Sequence, residues 1–484
     1  MTEYTMTDRK SQLYKTLSAI AGPERVTEED LAKWAVMGDI HPGLMPPDSK
    51  FTTLPDIIVR PQTVEHVSKI LRVANRMRTP VTVRGGGEGC ASAMLPSEGG
   101  ILMDMLDMNQ IVKIDETSMV ATAEAACTWG KLTYELKKKG YRPGVLGPGG
   151  IYGATLAGSV GHNSYLISGG RYGMCGEEVV SLEVVLPTGE VINTGSATNI
   201  RSDWLMRYAN GADLTGLFIG DEGAFGVKTK VSLRIYPLPE YALYETYSFT
   251  SLDKAAQALY KMQLTSHLED SFINAGRHAL EIFVPDAPKD SELVQYIILE
   301  GYDAKIVERE KEIMDSIAGQ HDGKALGSEI ASRFFDGRRS GKAIGWAWGF
   351  GTPGCSLLPT LKFPEFTRGA YDFFRKHEDL IINVPGTDLK AYYVKVYPVK
   401  HAYVNCLPYS HYDATTLEGQ KKGYELWRKL IQWRLDQGAC NYWVGLDCAD
   451  LVASHYPPFF HDFVQRIKTA LDPNHILNRG IYLL

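Results

Sequence analysis

Arg84-Gly85-Gly86-Gly87-Glu88-Gly89-Cys90-Ala91 is the stretch on which the reading of this chain turns. It follows Val81-Thr82-Val83, a β-branched run that predicts a strand. A glycine-dense turn after a strand suggests a nucleotide site, so its spacing matters. It is not G-x-G-x-x-G, because Cys90 stands where the third glycine should be, and no clear helix follows. A dinucleotide fingerprint places the pyrophosphate at a helix N-terminus, and that context is missing. No Gly-Lys-Ser/Thr follows either, which excludes a P-loop. Consecutive backbone N–H groups in such a turn can still converge on an anion, and glycine lets the main chain approach it closely. Read on its residues alone, the loop is either a phosphate cradle or a plain tight turn.

Upstream, residues 1–54 read as an amphipathic helical leader ending in Pro-rich turns at Pro42, Pro46 and Pro47. Ile57-Ile58-Val59 is a short strand stopped at Pro61. Thr63 can cap a helix that shows Val64, Val67, Leu71 and Ala74 on one face and ends before Pro80. Downstream, strands are expected at Ile101 to Met105 and Met119 to Ala125. A helix is expected at Trp129 to Lys139, closed by Gly140. A second glycine-rich region spans Gly147 to Gly173. Leu182 to Ile192 reads as a hairpin around Pro187-Thr188-Gly189-Glu190, and Leu217 to Tyr236 runs to a break at Pro237 and Pro239. Beyond Pro239 glycine thins out and helical patterns dominate, as at Ala255 to Thr265 and Glu308 to Ile317. The expected division is 1–54, 55–239, a mixed α/β unit at 240–440, and a last segment at 441–484. The aromatic run from Trp346 and Trp348 through Phe363, Phe366, Tyr371, Phe373 and Phe374 is expected to be ordinary core. A helix around Val464, Ile467 and Leu471 precedes Asp472-Pro473-Asn474.

Composition bounds the function. The chain has 484 residues, 44% apolar and 22% charged, which is ordinary for a globular protein and long enough for a deep pocket. The net charge of −6 argues against nucleic acid as a partner. No run of apolar residues is long enough to span a membrane. Met1 to Lys15 is polar without an apolar signal core, so a cytoplasmic location is expected. The seven cysteines are scattered, with no Cys-x-x-Cys pair. Buried thiols in a reducing compartment are expected, and neither a disulfide scaffold nor a metal site is assigned.

The motifs gain specificity from their order. Strand-Arg84-Gly85-Gly86-Gly87, Gly147-Pro148-Gly149-Gly150, Gly153-Ala154-Thr155-Leu156-Ala157-Gly158, the 182–192 hairpin and Gly220-Asp221-Glu222-Gly223-Ala224-Phe225-Gly226-Val227 follow one another over about residues 55–238. This succession resembles the FAD-binding domain of the vanillyl-alcohol-oxidase / p-cresol-methylhydroxylase flavoprotein superfamily. Asp472-Pro473-Asn474-His475-Ile476-Leu477-Asn478-Arg479-Gly480 resembles that family's C-terminal signature, with Arg479 where the family usually has proline. The resemblance implies an α+β fold: a two-subdomain FAD-binding domain, an α/β cap, and a C-terminal segment returning to the flavin. It implies cofactor contacts from Arg84, Gly85, Gly86, Gly87, Glu88, Gly89 and Cys90 around the pyrophosphate. Pro148, Gly149, Thr155, Gly158, Ser159, His162 and Asn163 would line the flavin side. Ile192, Gly226 and Val227 would meet the adenosine region, and Arg479 the ring. FAD is expected to be held noncovalently, although Cys406, His401 and His411 fall near a position where some relatives attach it.

For the chemistry the resemblance divides. Tyr442-Trp443 stands where the phenol-oxidising branch has Tyr-Arg. Ala91 stands for a second phenolate-binding tyrosine, and Met174 for a catalytic aspartate. A phenolate left without a cation in a dry site would be penalised by several kcal/mol, so a para-substituted phenol is not the first expectation. The motifs of the 2-hydroxy-acid branch are absent. Tyr442, His401 and His411 are the candidate catalytic groups, and Ala91, Met174 and Trp443 the candidate pocket residues. Lys395, Lys400 and Arg333 could meet a substrate carboxylate, with solvated surface charge the expected reading of each. The expectation is an FAD-dependent oxidoreductase acting on a small or medium alcohol or benzylic substrate. The alternatives are a D-2-hydroxy-acid dehydrogenase and a flavin-binding subunit without chemistry. Oxygen and a redox protein are both open as electron acceptor, and homo-oligomerisation through the cap is common among relatives.

Overall fold

The computed structural model describes residues 6–38, 49–89, 92–148, 150–165, 167–339, 350–351 and 355–483. Among these residues three sheets organise the chain. The first runs in the order Val26–Thr27, Ile57–Val59, Ile101–Asp104, Val81–Arg84, and its last three strands are parallel. Helix Val64–Met77 makes the crossover. The Thr63 hydroxyl accepts from His66 N to cap it, and Arg78 in the left-handed region ends it. Its apolar face, with Val67, Ile70, Leu71 and Ala74 fully buried, packs on the sheet beside Leu13 and Leu17 of helix Met6–Ala21. The 84–89 loop therefore leaves from the C-terminal end of a parallel strand, where open sheets of this kind bind ligands.

The second sheet is antiparallel, in the order Ile111–Asp115, Val120–Glu124, Val227–Pro237, Val179–Val185, Val191–Asn193. Tyr141–Pro143 pairs with the far end of Val227–Pro237. Helix Leu156–His162 lies against this sheet, with Leu156 and Val160 in its core.

The third sheet is the largest. Its order is Lys324–Gly327, Tyr241–Phe249, Leu293–Gly301, Asp270–Ala275, Tyr392–Val399, Tyr403–Tyr412, with Phe350–Gly351 and Ser356–Pro359 on the last strand. The helical stretches expected after Pro239 are present, as Leu252–Leu264 and Ala304–Gln320, and the large sheet accompanies them. Strands such as Leu293–Gly301 are buried on both faces, so they read as apolar runs without the alternation that marks a half-exposed strand. Helices Leu252–Leu264, Ala304–Gln320 and Phe363–Arg375 cover one face and form the main core. Phe363, Phe366, Tyr371, Phe373 and Phe374 are the buried side of the last of these, as expected of core aromatics. Trp346 and Trp348 lie outside the described residues.

The chain end comes back to the first sheet. Leu477 bridges in parallel to Val81, with Val81 N donating to Ile476 O at 2.7 Å and Asn478 N to Val81 O at 2.9 Å. Asp472 accepts from Ile476 N and Leu477 N. The buried Lys468 ammonium pairs with Asp472 and donates to the carbonyls of Ala224 and Leu477.

Candidate active site

One cavity of about 510 Å³ joins all three sheets, within the range of small-molecule sites. Its walls explain why glycine recurs in this chain. A Cβ on Gly86 would lie 1.7 Å from Gly153 O, so the two glycine loops approach more closely than any side chain permits. Gly87 has φ +74°, and a Cβ there would meet the Arg84 guanidinium. Gly85, Gly86, Gly87, Glu88 and Gly89 line one side of the cavity, and Pro148, Thr155, Gly158 and Ser159 the other. Ser159 is held by Trp129 Nε1, which donates to its hydroxyl at 2.8 Å. The Glu88 carboxylate points at Gly150 and Gly153. Burial pushes it up, against the pull of Arg84. Gly226 and Val227 close one end, where Lys228 pairs with the buried Asp221.

Asn478 joins three segments at the middle. Its Oδ1 accepts from Val83 N at 2.9 Å and its Nδ2 donates to Glu222 O at 2.6 Å. Next to it, His162 Nδ1 lies 2.8 Å from Glu222 Oε1. Tyr442 meets the His162 ring edge-on, with centroids 5.6 Å apart, and meets Tyr165 at 5.8 Å. Trp443 lies behind, stacked on His162 and on Trp427.

The other end opens under the third sheet. Facing partners across this antiparallel sheet share a face. The pairs Tyr393↔Tyr409, Lys395↔Leu407 and Tyr397↔Asn405, with Asn274 opposite Lys395, define the face toward the cavity. Val394, Val396 and Cys406 point the other way, into the core. Lys395 is 8% exposed. Its ammonium sits 4.7 Å from the Tyr393 ring centroid, 4.8 Å from Phe283, 5.6 Å from Tyr409 and 5.9 Å from Phe272. Burial, with repulsion from Arg338, brings it down to about 7. No carboxylate among the described residues pairs with it. Nor do three or more His, Cys, Asp or Glu side chains converge as a metal site among those residues. Among the described residues the polar chemistry of this chamber comes from phenols, an amide, the Cys355 thiol and the Lys395 amine.

The expected site residues divide. Residues 85–89, Pro148, Thr155, Gly158, Ser159, His162, Gly226, Val227 and Tyr442 line the cavity. Cys90, Ala91 and Gly149 fall outside the described residues. Asn163 caps its helix and accepts from Gly176 N instead of lining the wall. Ile192 lies partly buried in the hairpin against the second core. Arg479 pairs with Glu98 at 2.5 Å and donates to His475 O, away from the cavity. Met174 touches Asn163 Nδ2 through its sulfur, and Trp443 is fully buried; neither reaches the wall. His401 is an exposed residue of the turn between Tyr392–Val399 and Tyr403–Tyr412, with φ +65°, and is not part of the cavity wall. His411 is buried behind Tyr393, its Nε2 3.1 Å from the phenol oxygen. Cys406 is buried on the core face, outside the cavity wall, and its thiol is pushed up to about 12 by burial. Lys400 pairs with Glu177 and Arg333 with Glu329 at the surface, as expected. Lys395 reverses its expectation. The signal was present in Tyr393-Val394-Lys395-Val396-Tyr397, whose alternation puts the lysine on one face with two tyrosines. Asn478, Tyr165 and Glu222 carried no such signal, since only the return of the chain end brings them together.

Residues 55–195 match the FAD binding domain family. The glycolate oxidase subunit GlcD of Bacillus subtilis (strain 168) is 30% identical over 259 residues, 52% of this chain and 50% of that protein. The chain thus spans about half the length of such curated relatives. A probable mitochondrial D-lactate dehydrogenase of Danio rerio is 25% identical over 442 residues, 88% of this chain and 84% of that protein. Among solved structures, p-cresol methylhydroxylase with substrate bound superposes with a TM-score of 0.85 at 18% identity, covering 100% of this chain and 98% of that one. The 4-ethylphenol oxidase from Gulosibacter chungangensis gives 0.80 at 18% identity, covering 99% and 98%. Residues 55–195 thus carry an FAD binding domain, and the glycine cradle, the returning chain end and the large sheet over the cavity are those of the fold that p-cresol methylhydroxylase has.

Proposed function

We propose that this protein is an FAD-dependent oxidoreductase that withdraws two electrons from a small, flat organic molecule, an alcohol or a benzylic carbon, held under the third sheet. The observation that carries this reading is the continuity of one cavity from the glycine loops to the aromatic chamber. Bound FAD supplies the two-electron acceptor. The chain supplies the rest. Backbone N–H groups of residues 85–89 hold the pyrophosphate. Asn478 and the His162–Glu222 pair fix the middle of the site. Tyr393, Tyr397, Tyr409 and Leu407 exclude water and give a flat apolar molecule its contact area. Tyr442 presents a phenol hydroxyl where those walls meet His162. FAD is bound noncovalently, which the burial of Cys406 away from the cavity and the exposure of His401 support.

A D-2-hydroxy acid is the second reading. The buried Lys395 amine in the chamber favours it, as do relatives described as a glycolate oxidase subunit and a D-lactate dehydrogenase. The test of both is the visible spectrum of the purified protein followed by anaerobic donor screening. A yellow protein that releases its flavin on acid precipitation and bleaches with a benzylic alcohol is expected. Bleaching by D-lactate or glycolate instead selects the second reading. A protein that neither carries nor takes up FAD refutes both, and one that binds FAD but bleaches with no donor is a flavin-binding subunit. Adding oxygen or an artificial acceptor to the bleached protein then separates oxidase from dehydrogenase.

A further inference from the structure

We propose that Lys395 is the specificity-determining group of the aromatic chamber, the polar anchor that holds an aromatic molecule by an acidic oxygen. This rests on the reading of that chamber as the substrate site. The placement is geometric. Lys395 stands in the middle strand of the cavity face, between Tyr393 and Tyr397 and opposite Leu407. Four aromatic rings surround its ammonium position within 6 Å of their centroids, a box that favours a cation while admitting little water.

The groups around it set its protonation. Tyr393 and Tyr397 on its own strand are neutral phenols held well up by burial. Tyr409 faces it from the neighbouring strand. Arg338 of helix Glu329–Arg339 repels a second positive charge. Asp270 lies at the far end of its strand, is brought up to about 6 by burial, and is drawn on by Arg338. The net result is an amine near 7, half charged at neutrality and able to move either way with its ligand.

An anion entering this chamber supplies a counter-charge that no carboxylate among the described residues provides, and the proton follows by linkage. An aromatic carboxylate arrives already ionised, so above neutrality the amine takes a proton from solvent. A phenol arrives with its own proton. Phenolate is the stronger base of the two, so the O–H bond stays intact and donates to the Lys395 amine, with no proton exchanged with solvent. The same amine serves both, and the proton count tells them apart.

The experiment is calorimetric titration of the FAD-loaded protein at about pH 8 in buffers of different ionisation enthalpy, with benzoate, phenol and the neutral benzamide as probes. Benzoate should bind with uptake of close to one proton per site, phenol with close to none, and either should bind more tightly than benzamide. Lys395→Met should weaken benzoate by about tenfold or more and abolish proton uptake, leaving benzamide within a few-fold. Lys395→Arg, permanently charged, should restore benzoate binding without proton uptake. Benzoate and phenol binding indifferent to Lys395→Met overturns the proposal, as does failure of both probes to bind the FAD-loaded protein. Proton uptake unaltered in Lys395→Arg also overturns it. A flavin spectrum retained in Lys395→Met separates that failure from failure of the oxidoreductase reading, which would be a wild-type protein without FAD.

Discussion

Lys395 shows what burial does to one residue. A lysine free in water stays charged to high pH, whereas this one is surrounded by rings and loses its proton near 7. In the unfolded chain the same amine keeps its proton to about 10.4. Between those values the unfolded state binds more protons than the folded one, so stability rises with pH across that window and is flat below it. The slope from one such group is about 1.4 kcal/mol per pH unit. Lys395→Met removes it. The variant should therefore be more stable than the wild type at neutral pH, and the two melting curves should converge as pH is raised from 7 toward 10. Thermal melts at several pH values check this, and a pH-independent difference would place the amine in water. The lysine was legible as a candidate cation. Its burial was not, because a charged side chain in a strand is solvated far more often than enclosed.

At the scale of elements, the site is made by loops that hold one another. The 84–89 and 147–158 loops meet where Gly86 faces Gly153. The C-terminal segment ties Val83, at the root of the first loop, to the 220–226 loop through Asn478. Asn478→Ala leaves Val83 N and Glu222 O without partners in a buried place, at a cost of about 1–3 kcal/mol. It should lower the melting temperature and weaken FAD uptake by the apoprotein, followed by the change in flavin absorbance. A substitution at Arg479, whose side chain faces Glu98 rather than the cavity, should leave FAD uptake unchanged in the same titration. The glycine loops were legible in order and position, since close backbone approach demands glycine wherever it occurs. The contribution of Asn478 was not, since its partners lie far away in sequence.

At the scale of the whole molecule, the cap and the FAD-binding part are joined by a buried charged cluster. Arg142 extends from the edge of the second sheet to Glu269 and Glu300 of the third, with Tyr172 beside it. Its side chain is 6% exposed and the two carboxylates 0% and 3%. Removing the cation takes from both buried carboxylates their closest counter-charge, leaving Glu269 with Arg171 at 3.5 Å, at a cost of about 3 kcal/mol. Arg142→Met should shift the denaturant midpoint down by a corresponding amount. The substitution also removes the charge that holds the third sheet over the cavity, so flavin release should accelerate. A midpoint within error of wild type would mean that the two parts are held by their apolar contacts alone. Among the described residues no helix is long and apolar enough to cross a membrane.

The sequence by itself determined the cofactor and the order of parts. Glycines required by close approach, an N-cap at Thr63 and a recurrent C-terminal signature are local features, and each is written in a few adjacent residues. Tertiary structure alone decided which polar groups face the cavity. Tyr442 reaches the cavity while the adjacent Trp443 packs behind it, and His401 turns out to solvent while His411 is buried behind Tyr393. Facing is set by sheet register and by the path of the returning chain end. These depend on pairings between distant residues, and no local pattern encodes them.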